Sequence, residues 1–255
     1  MYAWRGSLVL SALLKPGVCY HSKASFHSAL RPKMSGVSAT HGANDIVTRK
    51  KQLRKQVRSM ISELSKNDIE SQSLEVWERL FDLPVYKQAQ SVGLFLSMPS
   101  GEIDTDLAIR NAVEAGKHIY VPQVGKNFEH ADMELLKVDQ SASKAGELFH
   151  QAWPRNKWGI PEPPPGMPIV LAKEGDIDVL IVPGLAFDRK CDRLGQGKGY
   201  YDRFIQRMIS SDKKPPCLIA VCLTCQLVEE IPVESYDRRM DLIITPSEII
   251  GSKNK

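Results

Sequence analysis

The sequence predicts an α/β fold, three-layered and Rossmann-like, around a mostly parallel central sheet. Three observations carry that reading. The apolar run 177–182 is closed by Pro183 and reads as a strand buried on both faces. Downstream, Tyr201, Phe204, Ile205, Met208 and Ile209 recur with helical period. Upstream, residues 91–121 run in the order strand, loop, helix, strand, which argues for parallel strands with right-handed crossovers. In such sheets ligands sit at the carboxyl ends of strands, where the next helix begins.

Between the strand at 177–182 and its helix stand Pro183-Gly-Leu-Ala-Phe-Asp188 and Arg193-Leu-Gly-Gln-Gly-Lys-Gly-Tyr-Tyr-Asp202. Gly195, Gly197 and Gly199 alternate with Gln196 and Lys198. Glycine reaches positive φ and leaves its N–H unscreened by a Cβ. Successive N–H groups at a helix start form an anion cradle. Arg193 and Lys198 add full charges, and Asp202 follows within the first helical turn. The spacing is not that of a P-loop, because Gly199 follows the lysine where Ser or Thr is required, and it is not the dinucleotide pattern. Phosphate binding is the reading preferred over a plain turn.

The same string resembles the 5-formyltetrahydrofolate cyclo-ligases, also called methenyltetrahydrofolate synthetases, and the resemblance runs from about Asp45 to about Thr245. It implies an ATP-driven, Mg2+-dependent conversion of 5-formyltetrahydrofolate, with or without a polyglutamate tail, to 5,10-methenyltetrahydrofolate. The formyl oxygen attacks the γ-phosphorus, and N10 then displaces phosphate from the resulting imidate. The resemblance places Lys198 and Arg193 as catalytic groups. It assigns ATP to Lys50, Arg54, Arg193, Leu194, Gly195, Gln196, Gly197, Lys198, Gly199, Tyr200 and Tyr201. It assigns the folate to Arg54, Leu96, Glu102, Trp158 and Tyr200, and the metal to Asp202 and Asp237. Glu102 would accept from adjacent N–H donors of the pterin edge. Two departures stand out. Gln196 occupies a position where some members carry arginine, and one extra residue lies between Met98 and Glu102. Two rivals remain open: a sugar-phosphate isomerase or acyl-CoA transferase of related fold, and a folate- or nucleotide-binding regulator without turnover.

Composition bounds the rest. Of the 34 Lys and Arg residues, Arg5, Lys15, Lys23, Arg31 and Lys33 fall within residues 1–44, which contain no acidic residue; the other 29 face 30 acidic side chains. The basic balance therefore belongs to the leader and does not argue for nucleic acid. An acid-free, basic, Ser-rich amino terminus has transit-peptide composition, and it predicts a mitochondrial form, with a cytoplasmic form starting at Met34. The short apolar run 8–14 could instead be a secretory h-region, and the bland alternative is a disordered tail. The catalytic domain is expected over 45–250, as a monomer, with no membrane partner. Cys222 and Cys225 have redox or metal spacing, but no second pair or nearby histidine accompanies them. Buried free thiols are expected of Cys217 and Cys222.

The elements follow in order. Asp45 is placed as an N-cap, ahead of an apolar face of Leu53, Val57, Met60, Ile61 and Leu64. Lys50, Arg54 and Arg58 form a basic stripe whose default reading is a solvated face. Ser65 caps a second helix to about Phe81. Residues 91–96 form a strand, Asp104 caps a helix ending at Gly116, and 118–121 form a strand stopped by Pro122. Residues 133–138 are a weak strand, and 153–165 a proline-rich loop. Strands are expected at 218–223 and 242–245, with Asp241 as a carboxylate at the last strand's entry. The tail from Ser247 is expected to fray.

Overall fold

A computed structural model describes residues 42–124, 133–139, 147–210 and 212–252. The leader up to His41, with Cys19 and Met34, lies outside the described residues. The fold begins with α1 (Gly42–Ser62), α2 (Lys66–Asp82) and a short α3 (Pro84–Gln88). Next come β1 (Ser91–Gly93), α4 (Asp106–Glu114), β2 (His118–Val124) and β3 (Met133–Lys137). Then follow β4 (Val179–Val182), β5 (Ala186–Asp188), β6 (Arg193–Leu194) and α5 (Tyr200–Ile209). The chain closes with β7 (Cys217–Val221), β8 (Leu227–Val228), β9 (Leu242–Ile244) and β10 (Ile249–Gly251).

Seven strands form the central sheet in the order β10-β9-β7-β4-β1-β2-β3. The five inner strands are parallel to their neighbours, while β3 and β10 pair antiparallel at the two edges. The expected α/β class and mostly parallel sheet are thus observed. The inner strands are apolar on both faces because both faces are covered. On one side Val76, Trp77 and Leu80 of α2 and Ile109 of α4 pack against Val92, Ile119 and Ile181. On the other, Phe204, Ile205 and Met208 of α5 pack against Leu180, Val182 and Leu218. Each such fully buried side chain contributes roughly 1.5–3 kcal/mol.

Several boundaries differ from expectation for local reasons. α1 starts at Gly42, so Asp45 lies in the first turn and is not the N-cap. Ser65 does cap α2, in a reciprocal capping box with Asp68. The residue before α4 is Thr105, although Asp104 Oδ1 accepts from the Asp106 N–H at 2.9 Å. Strand pairing in β1 ends at Gly93, three residues short of the apolar run. Pro122 does not stop β2, where it pairs with Leu135 of β3. The Tyr120 carbonyl accepts from Leu94, so residue 120, and with it Pro122, faces the β1 side. Past the end of β1 no ladder needs the N–H that proline lacks. The tail is not frayed from Ser247, because β10 pairs with β9 from Ile249 to Gly251.

A second sheet of three strands, in the order β6-β5-β8, was not expected. Its strands are two or three residues long and show no periodicity. Asp188, fully buried, organises it: Oδ1 accepts from the Lys190 and Asp192 N–H groups and Oδ2 from that of Ile231. Val57 and Ile61 of α1 pack against Leu194 of this small sheet and against Leu185 and Ile231 beside it. That packing carries the basic stripe of α1 to the carboxyl end of the central sheet.

Candidate active site

The glycine loop lies between β6 and α5, just beyond the end of β4. Gln226 fixes its approach, with Nε2 donating to the Gly184 carbonyl at 2.9 Å and the Leu185 carbonyl at 3.2 Å. Gly197 adopts φ +99 and Gly199 φ +71, backbone that L side chains avoid. Among the described residues, the N–H groups of Gln196, Gly197, Lys198 and Gly199 meet no acceptor. They stand at the head of α5, whose residue before the first turn, Gly199, provides no side-chain cap. The loop therefore presents a run of unpaired donors at a helix N-terminus.

All three residues of the α1 basic stripe engage this region. Lys50 Nζ donates to Asp237 Oδ2 at 2.6 Å and Glu234 Oε2 at 2.7 Å. Arg54 Nε donates to the Gly195 carbonyl at 2.9 Å. Arg58 Nη2 donates to Gln196 Oε1 at 2.7 Å. The stripe is a set of tethers, and the reading of it as a merely solvated face does not hold for Lys50, which is buried. Burial alone would lower the Lys50 ammonium; its bonds to Asp237 and Glu234 outweigh that and raise it above the ordinary lysine range. Burial lowers Arg54 below the usual arginine range, and the neighbouring Arg58 charge adds to the effect. Cations gathered this closely suit an anionic ligand.

Arg193 is buried, with Nη2 donating to Asp202 Oδ1 at 2.8 Å and Nη1 to the Pro183 carbonyl at 3.2 Å. Its Nε is buried without an acceptor. Asp202 Oδ1 also accepts from the Arg238 N–H at 3.4 Å, so Asp202 adjoins the residue after Asp237. The two expected metal ligands are thereby brought together. Leu194 is buried, with its carbonyl accepting from the Leu185 N–H at 2.7 Å. Lys198 is exposed at the loop tip.

Glu102 joins the same neighbourhood from the loop after β1. Its Oε2 accepts from the Met98 N–H at 3.1 Å. Burial raises the Glu102 carboxyl above the usual range, and the Met98 bond only partly opposes this. Tyr201 is pushed up by burial and, secondarily, by the nearby Glu102 charge. Tyr200 and Tyr201 both pack, half-buried, beside the cluster under α5. Leu96 and Trp158 form a second grouping. Leu96, Met98 and Pro99 line a cleft of about 390 Å³ opposite His150 and Arg155. Gly159 sits so close to Pro99 that a Cβ there would lie 2.6 Å from Pro99 Cγ. Trp158, beside it, is 48% exposed, with Lys157 Nζ 4.4 Å from its ring centre.

Glu234, Arg58 and Arg238 are absent from the expected site residues. For Arg58 the signal was its four-residue spacing from Arg54. The other two carry no local pattern, since long-range packing alone brings 234–238 to α1. Cys191 and Cys222 are buried, whereas Cys217, expected buried, is half-buried.

A profile of the 5-formyltetrahydrofolate cyclo-ligase family matches residues 46–246. The chain belongs to that family. It is accordingly an enzyme, a carbon–nitrogen cyclo-ligase. The 5-formyltetrahydrofolate cyclo-ligase of Saccharomyces cerevisiae is 30% identical over 203 residues, which cover 76% of this chain and 94% of the relative. The mitochondrial 5-formyltetrahydrofolate cyclo-ligase of Arabidopsis thaliana is 27% identical over 225 residues, covering 81% of this chain and 77% of the relative. The 5,10-methenyltetrahydrofolate synthetase of Aquifex aeolicus superposes with a TM-score of 0.64 at 27% identity, covering 81% of this chain and 94% of that one. The resemblance read from the glycine loop is borne out, and the cyclo-ligase family sets the class of reaction to which the geometry must answer.

Proposed function

We propose that the chain closes 5-formyltetrahydrofolate to 5,10-methenyltetrahydrofolate at the expense of ATP. The observation that carries this reading is the run of unpaired loop N–H groups beside the buried Arg193–Asp202 pair, a setting built for a phosphoryl group. In the first step the formyl oxygen forms a bond to the γ-phosphorus, ADP leaves, and an O-phosphorylated imidate remains on N5. In the second, N10 bonds to the imidate carbon, the C–O bond breaks, phosphate departs with that electron pair, and N10 loses its proton. The chain's residues position and neutralise. Lys198, Arg193 and the N–H groups of 196–199 would hold the transferring phosphoryl. Lys50 and Arg54 would flank the nucleotide. Glu102, Leu96, Trp158 and Tyr200 would hold the folate, with Glu102 on the pterin edge.

Asp202 and Asp237 suit Mg2+, an ion that takes one or two carboxylates and completes its shell with phosphate oxygens and water. Asp202 Oδ2 and Asp237 Oδ1 carry none of the hydrogen bonds that engage the other oxygen of each carboxylate. When bound, the ion would neutralise phosphate charge.

We further propose that the leader directs one form to the mitochondrion, that a form starting at Met34 is cytoplasmic, and that a single chain suffices, since one chain supplies every assigned residue. The folate is accepted with or without a polyglutamate tail.

The test is growth of absorbance at the methenyl band. Growth should depend on ATP, and Lys198→Met should cut turnover by about 10²–10³ with a near-normal Tm. Growth without ATP, or near-wild-type turnover in Lys198→Met at saturating ATP and Mg2+, would contradict the proposal.

A further inference from the structure

The segment that follows Asp237 is crowded with carboxylates, and each is already engaged. Asp237 accepts from Lys50, Asp202 from Arg193 and Asp192 from Arg239. Asp241 Oδ2 accepts from the Leu218 N–H at 2.9 Å. Arg238 stands among them, with its backbone N–H on Asp202 Oδ1. Its guanidinium makes no hydrogen bond, ion pair or ring contact among the described residues, and its Nε is buried without an acceptor. Arg193, on the same carboxylate, also has a buried Nε without an acceptor.

This arrangement is costly as it stands. A guanidinium does not discharge at any ordinary pH, so burial cannot be relieved by losing a proton. A buried donor without an acceptor bears its desolvation penalty in full. An arginine that only covered surface would rest its donors in water or on one of the neighbouring carboxylates. Here Asp237, Asp202 and Asp192 already pair with Lys50, Arg193 and Arg239, and Asp241 accepts from a backbone N–H. The Arg193 guanidinium and the Arg238 backbone N–H therefore meet at one carboxylate, and each of the two side chains keeps a buried Nε without an acceptor. A tetrahedral anion with several acceptor oxygens meets all of these demands at once.

We propose that Arg238 is a further nucleotide-binding residue, which with Arg193 grips the terminal phosphoryl of ATP. The inference rests on the ATP-driven cyclo-ligase reading. Arg238 would add a forked donor from the segment that leads into β9, whereas Arg54 reaches the loop from α1. The terminal group is the one expected to feel it, because Arg238 adjoins both Asp202 and Asp237, the residues assigned to the metal that neutralises that group.

Calorimetric titration of the full chain with ATP, ADP and 5-formyltetrahydrofolate, each in Mg2+, tests the proposal. Wild-type protein that bound no ATP would defeat the cyclo-ligase reading itself. With wild-type binding in hand, Arg238→Met should weaken ATP about tenfold, ADP less than about threefold, and the folate not at all. Arg238→Lys, which keeps the charge but loses the fork, should recover part of the ATP affinity. ATP affinity in Arg238→Met within a factor of two of wild type would overturn the inference, and so would equal losses for ATP and ADP. Should Arg238→Met fail to fold, Arg238→Lys decides alone: an ATP loss of about threefold with ADP unchanged supports the role, and unchanged ATP affinity removes it.

Discussion

Lys50 Nζ lies 2.6 Å from Asp237 Oδ2 and 2.7 Å from Glu234 Oε2, so one lysine on α1 holds two carboxylates of the segment that leads into β9. Lys50→Met would leave both acids facing each other without their cation. The expected cost is about 2–3 kcal/mol in urea unfolding, because removing buried Lys50 strands the part-buried Asp237. Lys50 is raised in the fold, so its contribution is complete below about 10.5 and fades as pH rises through the folded value. Glu234 is depressed by its Lys50 bond first, so its share is present above about 4.5 and fades as pH falls. Unfolding of wild type and variant should differ most at intermediate pH and converge toward both extremes. A constant difference from pH 4 to pH 11 would show that the ion pair is not the cause.

Gly197 has φ +99, and a Cβ there would lie 3.3 Å from Arg54 Cζ. Gly197→Ala should therefore strain the loop by about 1–2 kcal/mol and press on Arg54. The KM for ATP should rise several-fold, more than the KM for the folate. Steady-state kinetics with each substrate varied in turn provide the check, and an unchanged ATP KM would mean that the loop tip does not meet the nucleotide.

The pterin contact proposed for Glu102 falls on a group that is costly to keep charged. Burial raises its carboxyl above the usual range, so the fold disfavours its charged form relative to solvent. Glu102→Gln should leave Tm at pH 7 unchanged or higher while raising the folate KM far more than the ATP KM. Wild-type folate affinity should fall on acidification at a pH above the ordinary glutamate value, and the variant should lack that limb. Equal effects on the two substrates would remove Glu102 from the pterin.

The helix that carries Lys50 begins at Gly42. A chain started at Met34 retains all of α1 and should be soluble, with the turnover and Tm of the full-length chain. Insolubility or lost turnover would give the leader a structural role and count against its being a targeting segment.

Much of this architecture was legible because it is local or continuous. The run 177–182 is apolar at nearly every position, as a strand covered on both faces must be, and Ser65 announces α2 as a residue suited to the N-cap. The small sheet was not legible, since two- and three-residue strands such as Arg193–Leu194 have no period to detect. Pro122 misled because a proline's effect depends on which side of the strand its missing N–H faces, a property of the neighbouring strand's length. In the site, the glycine loop was visible as a string of residues. The pairing of Lys50 with Glu234 was not, since the two lie 184 residues apart.

That separation bears on how the enzyme comes to exist in the cell. The tethers from α1 reach partners 138, 141 and 187 residues further along. A chain emerging from the ribosome makes its basic helix first and must wait for almost the whole of translation before Asp237 is available to it. Until then Lys50 and Arg54 are solvent-facing cations on a helix without its docking surface, free to engage other acidic partners such as a chaperone. Contacts of such long range slow folding, and they also mean that a prematurely terminated chain cannot retain part of the proposed site.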